Sequence, residues 1–98
     1  MSQANDIKIE LDQDNSRFIG SVDGHDCVLD FRLAADRVAM TSVRVPEAVG
    51  GRGIAGQLTR HALDWARARG LKVDPVCPYV KTWIQRHPDY QDLLLRGS

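Results

Sequence analysis

The chain is poor in the residues that would identify it most quickly. It holds two cysteines, Cys27 and Cys77, too few and too far apart for a disulfide framework. Its three histidines, His25, His61 and His87, lie far from one another, and the two cysteines are fifty residues apart, so no zinc-site ligand pattern is read. No N-terminal apolar run resembles an export signal, and no stretch approaches the roughly 20 apolar residues of a membrane span. These absences predict a cytoplasmic protein with free thiols, no metal and no membrane contact. Aromatic residues make up only 6% of the chain, and acids interrupt its basic residues. A base-stacking stripe is therefore missing, and nucleic acid is not expected as a partner.

Net charge of one sign is missing too, because 13 basic residues balance 13 acidic ones. That balance conceals an asymmetry. Residues 1–43 carry eight acids against four bases, whereas residues 44–98 carry nine bases against five acids. The second half is the place to look for an anionic ligand. With 43% apolar and 27% charged residues, the composition is that of a folded globular domain. A length of 98 residues predicts one domain over 1–98, near the lower end of what buries a core without disulfides or metals.

The hydrophobic period is two in the first half. Ile7, Ile9 and Leu11 alternate with Lys8 and Glu10, while Cys27, Leu29, Phe31 and Leu33 alternate with Asp26, Asp30 and Arg32. Each segment predicts a strand with one apolar face. Residues 17–22 read as the strand between them, and Asp23-Gly24 supplies a tight hairpin. A fourth strand is predicted over 38–45, stopped by Pro46. From Ile54 the period changes: Leu58, Ala62, Trp65 and Ala66 recur at helical spacing and Gly70 follows as a stop. A helix over about 53–69 is expected. Residues 71–77 read as a short strand parallel to the fourth, residues 79–87 as a second helix ending at Pro88, and residues 93–95 as a last short turn or helix. The fold class is α+β, a mixed and mostly antiparallel sheet with a helical crossover to a parallel fifth strand.

Gly50-Gly51-Arg52-Gly53-Ile54-Ala55 joins the fourth strand to the first helix. Glycines there admit close backbone approach by a ligand, and the first helical N–H groups point outward unpaired. The helix dipole and Arg52 both favour an anion such as phosphate. A tight strand-to-helix turn, with glycines serving only its backbone angles, is the structural alternative. No Gly-Lys-Ser/Thr follows, as a Walker loop requires.

The words Val45-Pro46-Glu47, Gly51-Arg52-Gly53-Ile54-Ala55, Ala62-Leu63-Asp64-Trp65-Ala66, Cys77-Pro78-Tyr79 and Arg86-His87-Pro88-Asp89-Tyr90 together resemble the small, single-domain GCN5-related N-acetyltransferases over roughly residues 7–92. The resemblance implies that acetyl-CoA is bound and its acetyl group passed to an amine, the acceptor being unidentified and a protein amine among the candidates. It places the pyrophosphate on Gly50, Gly51, Arg52, Gly53, Ile54 and Ala55. It places the pantetheine arm beside the backbone of Val43 and Val45, between splayed fourth and fifth strands. Two positions differ from the family pattern. Gly50 stands where the loop usually begins with Gln or Arg, and Ser42 stands where the small members commonly carry His.

Cys77 is the candidate catalytic residue, as a nucleophile or acyl acceptor at the end of the fifth strand; the alternative is a small buried hydrophobe. Cys27 reads as core. Tyr79 and Tyr90 are candidates to protonate the departing thiolate, against a plain half-buried ring. His87 reads as a helix-end residue. The shortness of the segment between the first two strands leaves no helices to cover an acceptor, so a non-catalytic CoA-binding or interaction module is the competing function.

Overall fold

The computed structural model describes residues 7–95. Five strands, β1 (Ile9–Asp12), β2 (Arg17–Val22), β3 (His25–Leu33), β4 (Arg37–Arg44) and β5 (Lys72–Pro75), form one sheet in chain order. β1 to β4 are antiparallel and β5 runs parallel to β4. Helix α1 (Ile54–Ala68) makes the crossover between β4 and β5, and α2 (Pro78–Gln85) follows β5. Segments of 3-10 helix occupy Glu47–Val49 and Pro88–Leu93. The mixed α+β sheet expected from the change of period is therefore the observed fold.

Alternation decides which side of the sheet is covered. Phe18 on β2, Cys27, Leu29 and Phe31 on β3, and Val38 and Met40 on β4 share one buried cluster with Leu58, Ala62, Leu63 and Ala66 of α1. α1 packs along this face because its apolar residues recur every three to four positions. Phe18, Phe31 and Trp65 meet edge-on or tilted, with centroids 5.2 to 5.5 Å apart. The one buried polar residue among those described, Thr59, is satisfied within its own helix by donating to the Ala55 carbonyl at 2.8 Å.

Several boundaries differ from expectation, each for a local reason. Leu33 was expected on the apolar face but is 53% exposed. The β2 ladder ends at Asp30, so Leu33 projects past the covered part of β3. β5 stops at Pro75 rather than at residue 77, because proline offers no N–H to a ladder and Val76 turns its own N–H onto the Asp74 carbonyl at 2.9 Å. α2 starts at Pro78, a residue suited to the first helical position, and closes at Gln85. His87 precedes Pro88 and is extended, with φ −129° and ψ 84°, as a pre-proline residue prefers. α1 ends as expected: Leu71 N–H bonds Ala66 O and Gly70 N–H bonds Arg67 O, the paired bonds of a Schellman stop.

The C-terminal segment closes the outer edge of β5. Leu94 bridges Val73 in parallel, and Leu95 N–H bonds Val73 O at 2.9 Å. Side chains clasp the same segment to α1. Arg67 donates to both carboxylate oxygens of Asp92 and to Asp89 O, and Tyr90 donates its hydroxyl to Asp64 at 2.8 Å. The hydrogen bond from Arg67 holds the Asp92 carboxyl below its ordinary pKa, helped by the charges of Arg67 and Lys72.

Two outcomes follow for stability. Leu58→Ala removes a fully buried side chain at the centre of the α1 stripe and should cost about 2–5 kcal/mol in urea denaturation. A lowered folded-state pKa gives stability that is present above the ordinary aspartate value near ~3.9 and is lost as pH falls through the folded value. Asp92→Asn should therefore lower the melting temperature at pH 7, and the gap to the parent should narrow as pH falls below about 3.9 in paired calorimetric scans.

Candidate functional site

The parallel pair at the sheet edge is shorter than β4 itself. β4 pairs with β5 only from Arg37 to Met40, where Met40 faces Pro75. One further bond, Cys77 N–H to Met40 O at 2.9 Å, ends the contact. Residues 41–44 keep β3 on one side and have no strand on the other. A slot opens there between the far half of β4 and the β5–α2 junction.

The bulge sits at the mouth of this slot. The β3–β4 register shifts between Asp30 and Phe31, leaving Thr41 as the extra residue. A strand otherwise alternates faces strictly; the inserted residue lets Met40 and Val43 both face α1 while Ser42 and Arg44 face away. Pairing confirms this, since Phe31 faces Met40, Leu29 faces Val43, and Asp30 faces Ser42.

Past β4 the chain turns through Glu47–Val49, anchored by the buried Val49, into the glycine loop. Gly51 and Gly53 have φ of 78° and 75°, in the left-handed region that costs other residues roughly 1–2 kcal/mol. Gly53 is the N-cap of α1, with no side-chain cap bond. The first intrahelical bond runs from Gln57 N–H to Gly53 O. The N–H groups of Gly53, Ile54, Ala55 and Gly56 are thus the four that the helix itself leaves without an acceptor. They converge at the positive end of a 15-residue helix.

Gly50 is different, being extended at φ −69° and ψ 162°. The nearest atom that a Cβ there would meet is the Glu47 carbonyl oxygen, at 3.4 Å. The backbone does not require glycine at this position. Arg52, the full positive charge of the loop, reaches back to the β2–β3 hairpin and bonds Asp23 at 2.8 Å. Asp23 stands at φ 50° beside Gly24 at φ 79°, the expected tight hairpin.

Of the other sequence candidates, Val43 and Val45 pack at the margin of the core beside the slot. Cys77 is the N-cap of α2 and 6% exposed, its side chain in the core cluster. Tyr79, the second residue of α2, is 43% exposed. A methyl group placed on Gly56 would lie 3.6 Å from its hydroxyl, so the phenol stands over the first turn of α1. Burial pushes the Tyr79 pKa up, partly offset by Arg86, and keeps the hydroxyl protonated at neutral pH.

Tyr90, by contrast, is tied to Asp64. His87 stacks on Trp83 with centroids 3.6 Å apart and bonds its carbonyl through Nδ1 at 2.7 Å. His61 meets Phe18 edge-on, and His25 opens β3 on the surface. Cys27 is buried, and its thiol pKa is raised by that burial and by the charge of Asp26.

A second cluster escaped the sequence reading. On the helix-free face, Asp30 Oδ2 accepts from Ser42 Oγ at 2.7 Å and from Arg44 at 2.8 Å. A groove of about 600 Å³ on this face is lined by Ile19, Asp26, Val28, Val43, Arg44 and Val45, among others. Alternation had placed Asp30 outward. Its pairing with Ser42 depends on the bulge, which no local pattern announces.

Comparison with known proteins agrees with this geometry. A family model described as GCN5-related N-acetyl-transferase matches residues 17–93, from β2 to the last 3-10 segment. Protein NATD1 of Mus musculus is 31% identical over 91 residues, covering 90% of this chain and 83% of the relative. The Homo sapiens protein of the same name is 31% identical, covering 90% and 80%. That of Danio rerio is 30% identical over 94 residues, covering 91% and 86%. With the splayed strands, the glycine loop and the matched span all in the same stretch of chain, the protein belongs to the GCN5-related N-acetyltransferase family.

Proposed function

We propose that this chain binds acetyl-CoA and transfers its acetyl group directly to an amine. The observation supporting this most strongly is that the stretch of β4 without a β5 partner leads through the glycine loop directly into the N-terminus of α1, so one extended ligand can lay an anionic part on the helix and a neutral part along the strand edge. The residues present fit such a ligand. The unpaired N–H groups of Gly53, Ile54, Ala55 and Gly56 suit a pyrophosphate; Gly51 extends that cradle and Gly50 leaves its rim open. The strand-edge groups around Val43 and Val45 suit the amides of a pantetheine arm.

Arg52 adds charge at small cost. Its present partner Asp23 is 66% exposed and Arg52 itself 45%, and an exposed pair of this kind contributes about 1 kcal/mol or less. A doubly charged pyrophosphate on a helix N-terminus outweighs that, so Arg52 can exchange Asp23 for phosphate.

The reaction needs positioning and proton transfer and no metal step. As the amine nitrogen bonds the acetyl carbon, the carbon–sulfur bond breaks and the thiolate takes a proton. Tyr79, protonated and standing over the first turn of α1, is the group proposed to supply it. A second reading routes the acetyl group through Cys77, favoured by its place where β4 and β5 part. Its burial in the core cluster favours direct transfer, with Cys77 as a wall of the slot.

Isothermal titration tests the cofactor. Acetyl-CoA and CoA should both bind, and absence of heat at millimolar ligand overturns the reading. Gly53→Ala should weaken binding about tenfold, a loss of about 1.4 kcal/mol, by straining the cap. Gly50→Arg should tighten it by about threefold, because the extended backbone accepts a side chain and an arginine there adds a charge-assisted hydrogen bond to phosphate. Intact-mass spectrometry tests the route: during turnover Cys77 should carry no acetyl group, and Cys77→Ala should stay active. An acetylated Cys77 that chases into product would establish the covalent path instead.

A further inference from the structure

We propose that Ser42 and Asp30 carry away the proton of the acceptor amine, Ser42 by touching the nitrogen and Asp30 by acting through Ser42. The inference rests on the acetyl-transfer reading above. It begins with hydrogen-bond polarity. A serine hydroxyl has one hydrogen and two lone pairs, and Ser42 Oγ commits its hydrogen to Asp30 Oδ2 at 2.7 Å. What Ser42 presents to its surroundings is acceptor capacity, which suits an amine N–H.

Position supplies the second part. Ser42 immediately precedes Val43, on the stretch of β4 without a β5 partner. The bulge at Thr41 turns Ser42 to the helix-free face, where Ser42 adjoins the groove wall formed by Val43, Arg44 and Val45. An amine entering from this face reaches the slot from the side opposite α1 and its phosphate cradle. The two reactants then approach the same strand edge without competing for space.

The third part is the destination of the proton. When nitrogen bonds the acetyl carbon and sulfur departs, nitrogen must shed a proton. Ser42 Oγ accepts it while passing its own hydrogen to Asp30 Oδ2, and Asp30, whose side chain is 27% exposed, returns it to water. Arg44 donates to the same oxygen at 2.8 Å and keeps the carboxylate aimed at Ser42. Arg17, ion-paired with Asp12 at 3.3 Å, and Asp26, bonded by Ser21 at 2.8 Å, share this face. Two other candidate bases are engaged elsewhere: His87 on the Trp83 carbonyl and Tyr90 on Asp64.

The test uses the full chain with acetyl-CoA, and Nα-acetyl-lysine amide and spermidine as separate acceptor probes, following release of the CoA thiol. Ser42→Ala should lower kcat by on the order of 100-fold, the scale of a lost proton-transfer group, while Ser42→Thr stays within about threefold. Asp30→Asn keeps the shape but not the charge, and should lower kcat by about 10-fold or more. Titrated acetyl-CoA affinity should not change in any of the three. Equal rates for Ser42→Ala and the parent, or an equal fall for the Ala and Thr variants, would overturn the inference, since a packing role treats the hydroxyl differently. A parent chain that binds acetyl-CoA but acetylates neither probe would instead overturn the transfer reading, and the inference with it.

Discussion

The early end of the β4–β5 ladder is the constraint on which the site depends. Parallel strands joined by a helix ordinarily pair along their shared length, and here four residues of β4 are left over. Pro75 contributes no N–H, Val76 folds back on Asp74, and the last donor, Cys77 N–H, is spent on Met40 O. Pro78 then opens α2, which carries the chain off the sheet. The same few residues that stop β5 therefore create the slot, and Cys77 stands at the point of divergence because it makes the final bond.

Leaving a strand edge open is unfavourable unless something else uses it, because backbone donors and acceptors cost free energy when unpaired away from water. Two features reconcile the opening with a stable fold. Past the bulge, Ser42, Val43 and Arg44 stay paired with β3, so β4 is held from one side. The inward side chains near the opening, Val43 and Val45, still pack against the core margin. Stability and access are thus supplied by different edges of one strand. The bulge adds a third property by turning Ser42 and Arg44 onto the face opposite α1. It separates a helix side that suits an anion from a polar side that suits an amine.

Much of this was legible in the residues, and what was not has a common cause. Period-two alternation located β1 and β3, the Asp23-Gly24 hairpin marked the end of β2, Pro46 marked the end of β4, and the glycine loop followed by an amphipathic stripe located α1 and its direction. These signals are local, involving residues within a turn or a strand of one another. The bulge at Thr41 is set by how β3 and β4 slide together. The turning of Arg52 onto Asp23 joins residues 29 apart. Exposure of Leu33 depends on where β2 stops, and the clasp of Arg67 on Asp92 depends on where the C-terminal segment lies. Each is a property of pairing between elements, and a pattern read along one element does not contain it.

The same division runs through the site itself. Apart from the Arg52 side chain, the groups proposed for the phosphate are main-chain N–H donors, so the sequence requirement at Gly51 and Gly53 is conformational, and the loop is recognisable from its glycines. At Gly50 no such requirement exists, because its backbone is ordinary extended chain. Its glycine is thus compatible with the fold without being demanded by it, and the missing side chain bears on ligand affinity alone. The groups assigned to the amine are side chains brought together across strands. Serine at position 42 reads in isolation as a residue too weakly basic for proton transfer. Only the register that sets Asp30 opposite it, with Arg44 on the same carboxylate, gives that hydroxyl a direction.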